Sequence, residues 1–271
     1  MNYKSVQVFV ETPSHTIVDT VWGRVFVLSN AQVMLRRDIA VADVFNTIER
    51  QSGEWTACIC GPGPNDILCR RAMNSGFSVY YGLTAAGDLV ISDRFRKVLD
   101  AVPTEQQMPD DDAVVEHFLF RTTTGKRTYA RGVFRLGHGD ELAGKDGRLS
   151  ERSAVTGQLT ASGAGDPREV TNVLRAAMDH AIGTREAYLS FSGGVDSTLL
   201  AALRPDLELR TAQLTAPETT PEEDYARNTA DILGRNISVS PISEAGLGQR
   251  LTELTRMLGF PVFASVVAVQ S

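Results

Sequence analysis

Six residues in the last third of the chain, Ser192-Gly193-Gly194-Val195-Asp196-Ser197, gather the groups needed to hold a phosphate chain. Two consecutive glycines remove Cβ atoms, so backbone N–H groups can close around an anion, and a helix start behind them adds partial positive charge. The hydroxyls of Ser192 and Ser197 can donate to phosphate oxygens. Asp196 would repel a bare phosphate, but it makes sense as a ligand for Mg²⁺ bridging phosphate oxygens. No lysine follows the glycines, so this is not the longer Gly-Lys-Ser/Thr loop. Binding would rest on backbone dipoles, hydroxyls and metal. The bland alternative is a glycine turn with Asp196 or Ser197 as a helix cap. All six residues at a strand-to-helix junction favour the phosphate cradle.

The flanking residues predict that junction. Residues 187–191 ("AYLSF") read as a strand and Ser197–Leu203 as a helix. Residues 209–216 form a second strand, and 220–233 a helix with a Thr220–Glu223 capping box and Gly234 after it. Residues 236–242 form a third strand, and Leu247, Leu251, Leu254 and Leu258 mark a further helix. Upstream, Asp166, Pro167 and Glu169 open a helix whose apolar face is Val170, Val173, Leu174, Ala177, Met178, Ala181 and Ile182. This alternation predicts an α/β domain with a parallel sheet and helices on both faces, its ligand edge at the strand C-termini.

The first half has another grammar. Val6–Val10, Arg24–Leu28, Trp55–Cys60, Ser78–Tyr81 and Leu89–Ser92 read as strands, and residues 129–144 as a closing hairpin-like segment. Helical spacing marks residues 40–50 and 111–120, where Val114, Val115, Phe118 and Leu119 share a face. The acids of residues 109–116 suit a helix N-terminus. Strands in runs with few helices predict an α+β domain over 1–152. The small, polar, aperiodic stretch 153–165 reads as a linker, with the α/β domain at 166–271.

Bulk properties narrow the function class. A net charge of −6 gives no basic footprint for nucleic acid. No apolar run suits a signal peptide or a membrane span, so a soluble, cytoplasmic protein is expected. Three cysteines, Cys58, Cys60 and Cys69, are too few for a disulfide framework and read as small buried side chains. His15, His117, His138 and His180 lack acids or nucleophiles at motif spacing and read as structural or surface residues.

Ser-Gly-Gly-x-Asp-Ser resembles the pyrophosphate loop of N-type ATP pyrophosphatases, which adenylate a carboxyl or carbonyl oxygen and release pyrophosphate. "LCRRAMNSGFSVYYGLTAAGDLVISDRFRKVLD", with Gly76, Tyr80, Tyr81, Ser92, Asp93, Lys97 and Leu99 in register, is similar to a stretch of asparagine synthetase-type enzymes. "RGVFRLGHGDEL" and "LRTAQLTAPETTPEEDYARNTADILGRNISV" resemble later segments of that family. The resemblance implies a glutaminase-like N-terminal nucleophile fold, a β-sandwich with helices, followed by an adenine nucleotide α-hydrolase-like domain. It also implies ATP and Mg²⁺ as ligands, phosphates on Ser192, Gly193, Gly194, Val195, Asp196 and Ser197, and adenine against Phe191 and Leu214. Asp196 is then both the metal ligand and the catalytic residue.

Two departures shape the expectation. The family's glutaminases expose an N-terminal cysteine, whereas position 2 here is Asn2 and no cysteine precedes Cys58. The family's Asn-Gly-Glu motif is missing too, so the domain is expected to lack glutaminase activity, as in β-lactam synthetase, carbapenam synthetase and lasso-peptide cyclases. The family's later Gly-x-Gly-x-Asp-Glu loop is also absent, and the apolar run from Phe260 to Val269 would be exposed unless covered. The resemblance thus implies an amide-forming ligase, or a subunit of one, acting on a small-molecule or peptide substrate. A second chain, a homo-oligomeric copy or a missing C-terminal half would complete it, with no nucleic acid or membrane involved. The competing expectation is a nucleotide-binding scaffold that recruits a partner.

Overall fold

The computed structural model describes residues 1–63, 65–153, 166–183, 186–214 and 221–260, with the side chains of Leu214, Glu244 and Ala245 excepted. The chain is mixed α/β, with three sheets and seven α-helices among the described residues. It divides into two compact units, Met1–Gln158 with Leu258–Phe263, and Leu159–Met257 with Ala264–Ser271. Residues 154–165, most of the expected linker, lie outside the described residues.

The first unit contains β1 (Val6–Phe9), β2 (His15–Thr20), β3 (Gly23–Ser29), α1 (Val41–Gln51), β4 (Trp55–Cys60), β5 (Ile67–Arg71), β6 (Tyr80–Leu83) and β7 (Leu89–Ser92). It continues through α2 (Phe95–Leu99), α3 (Asp111–Phe120), β8 (Phe134–Arg135), β9 (Asp140–Lys145) and β10 (Arg148–Ser153). One sheet runs β10-β9-β5-β4-β3-β2 and is antiparallel throughout. The other runs β1-β7-β6-β8, with β1 parallel to β7.

Strand alternation sorts the apolar residues into layers. Leu28, Cys58, Cys69 and Leu142 of the larger sheet meet Tyr81, Leu89 and Ile91 of the smaller. Val25, Val27, Ala57 and Ile59 face the other way and pack on Val44, Phe45 and Ile48 of α1. On the smaller sheet Tyr80 and Val90 pack on Phe95 and Val98 of α2. Strands such as "WTACIC" therefore read as nearly continuous apolar runs because both of their faces are covered.

Several expectations need correcting. Residues 129–144 do not form one hairpin: β8 pairs with β6 in the smaller sheet, whereas β9 pairs with β5 and β10 in the larger. The glycine turn between them passes the chain from one sheet to the other. The strands β2, β5 and β10 escaped the sequence pattern because polar side chains interrupt them. In β5 and β10 those side chains have a purpose: Arg70 and Arg152 flank Glu141 of β9 in the cross-strand register. Both bond its fully buried carboxylate. Cys58 and Cys69 are buried as expected, but they also face each other across β4 and β5 and are joined as a disulfide, which the cysteine count did not suggest.

Helix α3 is capped by Asp110, whose side chain accepts from the Ala113 N–H at 3.1 Å. Its apolar face turns outward: Phe118 is 82% exposed, and Val115, Leu119 and Phe120 are exposed too. Phe260 packs edge-on against Phe95 and stacks on Tyr129. The rest of the apolar run, residues 261–269, lies outside the described residues.

The second unit contains α4 (Pro167–Ile182), β11 (Tyr188–Ser190), α5 (Val195–Leu203), β12 (Glu208–Leu214), α6 (Pro221–Ile232), β13 (Ile237–Ile242) and α7 (Glu244–Leu258). The strands form a parallel sheet in the order β11-β12-β13, as the alternation predicts. Ala201 of α5 and Ala226 and Ala230 of α6 share one core with Phe191 and Leu209. Both crossover helices therefore lie on the same face of the sheet. Successive crossovers of one hand, stepping in one direction along the sheet, must stack on one side. The opposite face carries Tyr188, with the Arg210 guanidinium 4.6 Å from its ring centre. Asp166 caps α4 by accepting from the Arg168 N–H at 2.9 Å; no residue of α4 is fully buried, and on its apolar face Leu174, Met178 and Ile182 are half-buried while Val170 and Val173 are exposed. Among the described residues no helix is long and apolar enough to cross a membrane.

Candidate nucleotide site

The sheet delivers the loop. The Phe191 N–H donates to the Arg210 carbonyl at 2.8 Å, carrying the β11–β12 pairing one residue past the strand. The chain then turns at Gly193 with φ +76°, and Gly194 caps α5. A Cβ on Gly193 would lie 3.0 Å from the Ala226 Cα and 3.0 Å from the Tyr225 carbonyl oxygen. Glycine is thus required twice, for the backbone angle and for the close approach of α6.

Hydrogen bonds brace this turn from within. The Ser197 hydroxyl donates to the Gly194 carbonyl at 3.1 Å and lies 3.2 Å from the Ser192 hydroxyl. The Gly194 N–H donates to Ser192 Oγ at 3.3 Å. The Thr198 hydroxyl, which the sequence reading passed over, donates to the Gly193 carbonyl at 3.0 Å. The first-turn N–H groups of α5 have no intrahelical acceptor, so they remain to meet an anion. Ser192, Val195 and Asp196 are exposed, and Gly194 and Ser197 are partly so.

The loop residues are thus brought together as expected. The Phe191 side chain is 1% exposed and points into the helix–sheet core, so only its backbone can meet a ligand. Leu214 ends β12 opposite Ile242, and its side chain lies outside the described residues. A cleft of about 330 Å³ opens beside the loop, lined by Ser192, Gln213, Pro221, Glu222 and Tyr225. Sequence reasoning gave Gln213 and Tyr225 no role, because no local pattern marks them.

The donor set suits Mg²⁺ only in part. One exposed carboxylate beside two hydroxyls fits a hard cation that keeps several waters and takes phosphate oxygens as ligands. No group of three or more His, Cys, Asp or Glu residues poised for a metal occurs among the described residues.

In the first unit a cavity of about 10 Å³, the room of a single water, lies between the sheets, with Phe26, Leu28 and Ile91 in its walls. Asp93 at its edge accepts from the N–H groups of Glu11 and Thr12. Asn2 bridges to Arg148. The one free thiol, Cys60, is pushed up to about 11 by burial. No protein-family model and no curated protein matches this chain.

Proposed function

We propose that this chain binds ATP with Mg²⁺ on Ser192–Ser197 and activates a carboxylate for capture by an amine, as a carbon–nitrogen ligase or a subunit of one. The observation that carries the reading is the braced turn at Gly193, which sets the Ser192 and Ser197 hydroxyls 3.2 Å apart at the exposed start of α5. A carboxylate oxygen attacks the α-phosphorus, and the bond to pyrophosphate breaks. An amine then adds to the acyl carbon, loses its proton and expels AMP. The loop holds the departing pyrophosphate, whose charge is stabilised by fixed dipoles already in place. Asp196 holds the Mg²⁺, which supplies charge neutralisation at the phosphates when bound.

The layering of α1, two sheets and α2 supports a glutaminase-like ancestry for the first unit. The small cavity between its sheets and the missing Asn-Gly-Glu motif support loss of that activity. In this reading a complementing polypeptide supplies a further metal-binding acid.

The test is calorimetric titration with Mg-ATP, followed by assay of pyrophosphate release with candidate carboxylates. Saturable, Mg²⁺-dependent binding supports the reading; absence of ATP binding overturns it. The retained Asp196 carboxylate counts against the scaffold reading. ATP binding without pyrophosphate release, even with every complementing chain present, would establish that alternative.

A further inference from the structure

Helix α5 is capped at the end away from the loop. Its N-terminus begins at Gly194, and no side chain among the described residues caps it, so the first-turn N–H groups stay open toward an anion. Leaving them open costs the helix stability. At nine residues, with Ala201 and Leu203 its buried side chains, α5 is too short to hold itself together in isolation. The far end is where it is held. Arg235 Nη1 donates to the carbonyls of Ala201 at 2.9 Å and Arg204 at 3.4 Å, and its Nη2 donates to the Leu207 carbonyl. One half-buried guanidinium thus satisfies two carbonyls at the negative end of α5 and ties them to the chain entering β12.

Arg235 is itself mounted on α6. Gly234 ends that helix with φ +66°, and the Arg235 N–H donates to the Ala230 carbonyl at 2.9 Å. The same helix meets Gly193 through Tyr225 and Ala226. A single element therefore fixes α5 twice, near the loop by close backbone packing and at the far end by a charged fork.

We propose that Arg235 is a positioning residue for the loop at Ser192–Ser197. Its grip on the C-terminal carbonyls of α5 takes the place of an N-terminal cap, so the helix stays ordered while its first-turn N–H groups remain open to phosphate. Arg235 meets no ligand and acts through α5. The proposal rests on the reading of Ser192–Ser197 as the phosphate site.

Amide NMR spectra and calorimetric titrations with Mg-ATP and inorganic pyrophosphate test it, with far-UV circular dichroism to establish that each variant is folded. In Arg235→Gln the Gly193 and Gly194 amide signals should shift or broaden, and both affinities should fall roughly tenfold. Arg235→Lys keeps the charge but cannot span three carbonyls, so it should show the same changes to a smaller degree, and it carries the test should the glutamine variant not fold. Glu141→Gln in the first unit is the control: it should lower stability and leave the loop signals and both affinities unchanged. If Arg235→Gln lowers unfolding stability yet leaves the Gly193 and Gly194 signals and both affinities at wild-type values, Arg235 is a structural brace alone. The positioning role is then wrong and the phosphate-loop reading survives. If the wild-type chain binds neither ligand, both are overturned.

Discussion

Gly193 turns directly against the backbone of Tyr225, so that a Cβ on the glycine would stand 3.0 Å from the tyrosine carbonyl oxygen. The glycine loop and the helix that walls the cleft are therefore packed as one piece. Gly193→Ala would force a side chain onto a φ of +76° and push α6 away. The expected cost is about 1–3 kcal/mol in urea unfolding, together with loss of Mg-ATP binding. An alanine variant of unchanged stability would mean that this close approach is absent in solution.

Asp196 gives the opposite signature. Its side chain is exposed on the first turn of α5, so Asp196→Asn should leave unfolding within about 0.5 kcal/mol of wild type. Mg²⁺-dependent ATP affinity should fall roughly tenfold or more, as expected when a charge-assisted metal contact is removed. Equal affinity in variant and wild type, across a magnesium titration, would remove Asp196 from the metal site.

Glu141 is a structural charge. Arg70 donates from Nε at 3.0 Å and Arg152 from Nε at 2.7 Å, and the carboxylate between them is fully buried. Glu141→Gln leaves two guanidinium groups facing a neutral amide across three strands. Both arginines keep some solvent, so the expected loss is about 2–3 kcal/mol, below that of a fully buried pair. A melting temperature within a degree of wild type would argue against the ladder.

Cys60 should be a slow thiol. Burial raises it from its ordinary 9.0 to about 11, so the reactive thiolate is scarce near neutral pH and grows as pH rises toward 11. Thiolate falls tenfold per unit, so alkylation at pH 8 should run roughly a hundredfold slower than for a free thiol. Iodoacetamide labelling followed by mass spectrometry reads this directly, and rapid labelling at pH 8 would show Cys60 to be open to solvent.

The sequence by itself determined the second unit's local order. Capping at Asp166, glycine stops and alternating apolar periods located its strands and helices, and Ser192–Ser197 stood out as a phosphate-type loop. Those signals are local: each depends on residues within a turn or two of one another. Only the tertiary structure decided that the Phe191 ring turns into the core, that α5 and α6 share one face of the sheet, and that Tyr225 stands beside Ser192. It also decided which strands surround Glu141 and which sheet receives β8. Each of these depends on pairing and packing between segments far apart in the chain, where any apolar or polar residue of suitable size gives the same sequence pattern. The glycine loop is therefore legible from its own six residues, and the cleft beside it, walled by β12 and α6, is not.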